Sequence, residues 1–153
     1  MKYFDCHADT LTQVIKEGES LEKNTCDIDL QRIEKFADTY TQIFAIWKNR
    51  KEILPGTESS VFRKSYEKAI ELLQKAENKI RLCTSAKEME DAHQNGKAAV
   101  FLSVEDVSIM GKDIERIREL GFLFVLLSWN YENEYACGAA MNQAQGLTDR
   151  GRD

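Results

Sequence analysis

Hydrophobic and polar residues alternate from Lys2 to Ala8 in the opening stretch MKYFDCHADT, with aromatic side chains first. This period of two predicts a strand. Leu11, Val14 and Ile15 then share one helical face, and Gly18 stops that turn. Ile28 to Phe36 predicts a short helix with Leu30 and Ile33 inward. Thr39 to Trp47 (TYTQIFAIW) is rich in β-branched and aromatic residues and predicts a second strand. Pro55 and Gly56 mark a break. Glu58 to Asn78 predicts the longest helix, with Phe62, Tyr66, Ala69, Ile70 and Leu73 as its apolar stripe. Ile80 to Cys83 is a short strand, and Ser85 followed by Glu88 is a capping-box signature for a helix reaching about Gly96. Lys97 to Val104 (KAAVFLSV) is a strand with a continuously apolar centre. Ile114, Ile117 and Leu120 form one face of a further helix, closed by Gly121. Phe122 to Trp129 (FLFVLLSW) is the most hydrophobic strand, and Asn130 to Asp153 is polar and glycine-rich.

Strands alternating with helices predict an α/β fold with a largely parallel sheet. The runs VFLSV and FLFVLLSW are apolar on both faces, as parallel strands covered on both sides should be. Two closures fit this order. One is a doubly wound open sheet, complete as it stands. The other is part of a (β/α)8 TIM-type barrel, which as a whole takes about 250 residues. Four or five strands would make roughly half of one.

Composition narrows the picture. The chain has 153 residues, 42% hydrophobic and 31% charged, with one proline and eight glycines, which predicts one globular domain over residues 1–153. No apolar run reaches the roughly 18 residues needed to span a bilayer. Asp5, His7 and Asp9 interrupt the place where a signal peptide would need a continuous apolar stretch, so the expected location is the cytoplasm. The net charge is −5 with basic and acidic residues interspersed, so neither nucleic acid nor a membrane is an expected partner. Cys6, Cys26, Cys83 and Cys137 never form C-x-x-C, and all four are expected as reduced thiols. The first three read as small buried hydrophobes, while Cys137 sits in a polar loop.

The candidate chemistry gathers at strand ends. Asp5, His7 and Asp9 share a face if the first strand continues through Asp9, so His7 and Asp9 can point at one cation. Imidazole nitrogen with carboxylate oxygen suits zinc and its first-row neighbours. The bland alternative is a histidine paired with an acid at a strand end. Glu105 directly follows AAVFLSV, at the C-terminal end of a parallel strand, where ligands and catalytic groups collect. It could equally be a solvated residue opening a loop. Asp106 beside it reads as a loop or cap residue. The stretch after the last strand supplies Trp129, Asn130 and Tyr131, either as a substrate-contacting loop or as a mobile tail. His93, near a predicted helix end, reads as a surface residue on the helix dipole. There is no G-x-S-x-G, P-loop or G-x-G-x-x-G, so nucleophile-elbow and nucleotide chemistry lack support.

FDCHADTL near the start, DIDLQRI followed by TQIFAIW, then FLSVED, then LGFLFVLLSWNYEN with GLTDRGRD, stand in one order along nearly the whole chain. In this the sequence resembles the renal (membrane) dipeptidase family, the M19 zinc peptidases of the amidohydrolase-like barrels. The resemblance implies a (β/α)8 barrel with two zinc ions at its C-terminal rim. It implies that His7 and Asp9 bind one metal and that Glu105 bridges both as a catalytic carboxylate. It implies that Trp129 and Asn130 border the substrate, a dipeptide cleaved by a metal-activated bridging hydroxide. The family's second metal also takes two histidines from later strands, and a further aspartate near the barrel's end handles protons. No position in this sequence matches these, so the chain is expected to be an N-terminal half, inactive alone, that associates with a separate C-terminal half or with itself. Two departures stand out. Many relatives have glycine after the bridging glutamate, where this chain has Asp106. Some carry a histidine where Trp129 stands, and an indole cannot relay a proton in its place. A non-catalytic truncated barrel serving as an interaction module, and a small open-sheet metabolite-binding domain, are the competing expectations.

Overall fold

A computed structural model describes residues 1–141 and 146–153, and their elements follow one another in strand–helix alternation. Strand β1 (Lys2–Ala8) leads into helix α1 (Thr10–Glu17), which Gly18 ends in the left-handed conformation. Helix α2 is only Leu30–Ile33, continued by turns toward Phe36, with Asp29 as its cap and Leu30 and Ile33 buried. Strand β2 (Thr39–Trp47) and a single 3-10 turn (Arg50–Glu52) precede helix α3 (Glu58–Lys75). Phe62, Ala69 and Leu73 of α3 are buried, as the stripe predicts. Strand β3 (Ile80–Leu82), helix α4 (Ala86–Gln94) and strand β4 (Ala98–Glu105) follow. Ser85 Oγ accepts from the Glu88 N–H at 3.2 Å, but the Glu88 carboxylate reaches back to the Thr84 N–H rather than to Ser85. Strand β5 is Phe122–Leu126, and helix α5 (Asp149–Arg152) is a single turn.

One segment departs from the sequence pattern. Val107–Arg116 is 3-10 rather than α-helical and kinks at Gly111, whose φ is 57°. Ile114, Ile117 and Leu120 still turn inward onto the core, as their spacing predicts. The kink has a tertiary cause. A Cβ on Gly111 would lie 2.7 Å from Ser59 Oγ of α3, and Ser59 Oγ takes the Lys112 N–H while donating to the Met110 carbonyl. Arg63 of α3 grips the fully buried Asp113 with hydrogen bonds of 2.8–3.0 Å.

All strand pairs are parallel, in the order β1-β2-β4, with β3 beside the start of β4 and β5 beside its end. Successive long strands therefore always add on the same side. A doubly wound open sheet reverses direction at a switch point; this sheet does not, and it has the progression of a barrel wall. Phe44, Ile46, Val100, Leu102 and Val104 face α1 and α3 in the main core. Ile43, Ala99 and Phe101 face the other way, where Cys83 and Ala92 of the β3–α4 excursion cover them. His93 belongs to this second layer and is not a free surface residue: its Nε2 lies 3.0 Å from Thr41 Oγ1 and 3.1 Å from the Tyr40 carbonyl, tying α4 to β2.

Strand β5 ends sooner than FLFVLLSW predicts and is not covered on both faces. Leu123, Phe124, Val125 and Leu126 are 43–49% exposed, because no strand among the described residues pairs beyond β5. Cys6, on the opposite edge strand β1, is exposed rather than buried and opens onto the same pocket as Phe124; Cys83 is buried, and Cys26 and Cys137 are intermediate.

Candidate metal centre

Strands in parallel register deliver their C-terminal ends to one rim. Glu105, the last residue of β4, stands between Trp47 of β2 and Leu126 of β5. His7 arrives from β1 through a defect: the pairing of β1 with β2 slips between Asp5 and Ala8. A bulge of this kind re-aims a side chain. The strand also stops at Ala8, so Asp9 is not the next residue along the same face but the N-terminal cap of α1. Asp5 turns back locally, its Oδ1 accepting the His7 N–H at 3.0 Å.

The result brings His7, Asp9 and Glu105 together. His7 Nε2 is 3.8 Å from Asp9 Oδ1 and 3.7 Å from Glu105 Oε2, and the three donor atoms lie within 4.8 Å of one another. Two donors each about 2.1 Å from a shared tetrahedral ion lie about 3.4 Å apart. The observed spacings match that requirement with small inward movements, so the donor set fits a divalent cation of the zinc type. His7 and Asp9 are exposed and Glu105 is half-buried. Burial pushes the Glu105 carboxyl above its usual range; His7 opposes this, and the neighbouring carboxylates of Asp9 and Asp106 add to it. A cation there would relieve both the desolvation and the repulsion. A pocket of about 200 Å³ opens beside the donors, lined by Cys6, His7, Ser103, Glu105, Phe124 and Leu126.

Trp129 lies beyond the end of β5 and leans on Trp47, ring centroids 5.1 Å apart, with Tyr131 6.1 Å further on and the Lys51 ammonium 3.4 Å above the Tyr131 ring. Asn130 follows Trp129, and its carbonyl accepts the Ala140 N–H at 3.0 Å. The described part of this polar stretch is thus folded against the rim, and its segment 142–145 lies outside the described residues. Trp47 itself was not singled out by sequence. The signal for it was available, since it closes β2 just as Glu105 closes β4. Its Nε1 is buried with no hydrogen-bond partner among the described residues.

The model for membrane dipeptidases, peptidase family M19, matches residues 1–153. The chain belongs to this family. No curated protein matches the M19 chain by sequence. Among solved structures, the dipeptidase AC, a metallo peptidase of family M19, superposes with a TM-score of 0.80 at 19% identity over 99% of this chain and 52% of that one. A metallo peptidase from Rhodobacter sphaeroides, liganded with a phosphinate mimic of the dipeptide L-Ala-D-Ala, gives 0.70 at 15% identity, covering 99% of this chain and 54% of that one. The probable dipeptidase PvdM from Pseudomonas aeruginosa gives 0.69 at 17% identity, covering 90% and 37%. At these identities the likeness concerns the fold, a partial TIM-type barrel, and the M19 chain spans about half the length of the first of them. No helix of the described residues is long and apolar enough to cross a membrane.

Proposed function

We propose that this chain supplies part of a dinuclear zinc centre for dipeptide hydrolysis, and that it does not turn over substrate by itself. The observation that supports this reading is the convergence of His7 Nε2, Asp9 Oδ1 and Glu105 Oε2 within 4.8 Å at the C-terminal rim of a barrel wall. Three protein donors over two cations leave coordination incomplete, so tight retention of both needs histidines from elsewhere. Bound zinc would supply a water acidified to near neutrality and a Lewis acid for the scissile carbonyl.

The chain's own residues have separable parts in that scheme. His7 and Asp9 hold one cation from two elements, β1 and the start of α1. Glu105 is the shared catalytic carboxylate, fixed between two neighbouring strands so that its orientation costs little further ordering. Trp129 and Asn130 form a wall for the substrate, and Trp129 excludes water from one side of the site. An indole N–H donates but cannot accept or relay a proton, so any proton relay to the carbonyl oxygen must come from another residue. The partner is a complementary C-terminal half-barrel or a second copy, and the compartment is the cytoplasm.

The test is hydrolysis of an Ala-Ala dipeptide with zinc present, first by the chain alone and then with the second half of an M19 barrel supplied in trans. The expected result is turnover only in the mixture, falling by about two orders of magnitude or more with Glu105→Gln. Full turnover by the chain alone contradicts the partial-site reading, and turnover indifferent to Glu105→Gln contradicts the assignment of the carboxylate.

A further inference from the structure

Asp106 is the only non-glycine residue with positive φ among the described residues, at φ 69°. A Cβ disfavours that conformation, and glycine would adopt it freely. Asp106 is nevertheless 4% exposed, and one of its carboxylate oxygens takes three hydrogen bonds. Its Oδ1 accepts from the Ser108 N–H at 3.1 Å, from the Ser108 hydroxyl at 2.5 Å and from Asn133 Nδ2 at 2.8 Å. Asn133 in turn uses its whole hydrogen-bonding capacity. Nδ2 also donates to the Leu127 carbonyl at 2.7 Å, and Oδ1 accepts from the Tyr135 and Ala136 N–H groups at 2.8 and 2.9 Å.

These bonds close a circuit around the rim. Glu105 precedes Asp106; Asp106 holds Asn133; Asn133 holds both ends of the segment from Leu127 to Ala136. That segment carries Trp129, which packs on Trp47, and Trp47 pairs in register with Glu105. We infer that Asp106 and Asn133 are a pair of positioning residues that lock the Leu127–Ala136 loop onto the end of β4 and so hold Trp129 over the metal donors. Backbone strain at Asp106 is retained because glycine, though relaxed there, offers no acceptor for Asn133. The claim rests on the proposed function only for the loop's role as a substrate wall; the locking is a property of the chain itself.

The chain has two tryptophans, Trp47 and Trp129, and both sit in this circuit. Acrylamide quenching of intrinsic fluorescence therefore reads the lock directly, and calorimetric titration with zinc chloride reads the donors separately. Asp106→Gly removes the anchor and keeps the backbone, so the expected result is a quenching constant raised about threefold with saturable zinc binding retained. Asn133→Ala should raise it at least as far, since it also removes the bonds to Leu127, Tyr135 and Ala136, and the double variant should be no worse than Asn133→Ala alone. Asp106→Asn keeps an acceptor and tolerates the left-handed conformation, so it should restore the original quenching. Unchanged quenching in Asp106→Gly, additive effects in the double variant, or failure of Asp106→Asn to rescue would each overturn the lock. If Asn133→Ala does not fold, the Gly and Asn variants at position 106 decide by themselves. Absence of zinc binding in every variant would instead count against the proposed metal centre, leaving the quenching result to judge the lock.

Discussion

The reach of His7 depends on an irregularity in the strand that bears it. Simple alternation places Asp5, His7 and Asp9 on one face, and in a regular strand all three would compete for the same cation. The slip between Asp5 and Ala8 separates them: Asp5 accepts from the His7 backbone, while Asp9 leaves the strand and returns from the start of α1. The residue types of the site were legible because H-x-D and a strand-terminal glutamate are local features. The bulge was not, because it arises from pairing with β2. Asp106 shows the same limit: the departure from glycine is visible in sequence, but its reason, Asn133, lies 27 residues away in the chain. Glu105 gives a prediction at this scale. Its carboxyl is raised above the ordinary 4.5 by burial and by Asp9 and Asp106, so its ionisation opposes folding. Its cost is absent below the ordinary value and grows as pH rises through the folded one. Without divalent cations, Glu105→Gln should therefore raise the neutral-pH melting temperature and flatten its decline as pH rises above the ordinary carboxylate value. A lower melting temperature in differential scanning fluorimetry would contradict this account of the carboxylate.

At the level of elements, the strands were the most legible part of the chain. β1 and β2 have the ends that alternation and β-branched content predict, because each is specified by a continuous local pattern. β5 is shorter than its apolar run, and its last residues serve the rim instead of the sheet. The segment Val107–Arg116 has helical spacing but not an α-helix, since its geometry is set by the approach of Gly111 to Ser59. Windowed periodicity carries no information about that contact. Gly111→Ala places a Cβ 2.7 Å from Ser59 Oγ and 3.0 Å from the Ser59 amide nitrogen, at a φ of 57° that disfavours alanine. The expected cost is about 2–4 kcal/mol in urea denaturation, from strain and displacement of α3 together. A loss within experimental error of zero would mean that α3 and the 3-10 segment pack more loosely than their hydrogen bonds imply.

For the whole molecule, the consistent direction in which strands add is what separates a barrel wall from an open sheet, and it comes from the pairing of the strands, since the order of elements visible in sequence fits both closures. Which surfaces stay open does not. Phe4 on β1 and Leu123 to Leu126 on β5 are exposed, and the outer edges of both strands are unpaired among the described residues. Apolar strand edges of this kind template association. Static light scattering at about 50 µM should report a mass above that of one chain, decreasing when Leu123 and Val125 are replaced by lysine. A clean monomer before substitution would contradict this view of the edges.

Zinc titration of the purified chain by isothermal calorimetry bears most directly on the rim. The account predicts saturable binding, weaker than a closed four-ligand site, that falls by about tenfold or more in each of His7→Ala, Asp9→Asn and Glu105→Gln. Binding that survives all three substitutions, or no binding at millimolar zinc, would contradict it.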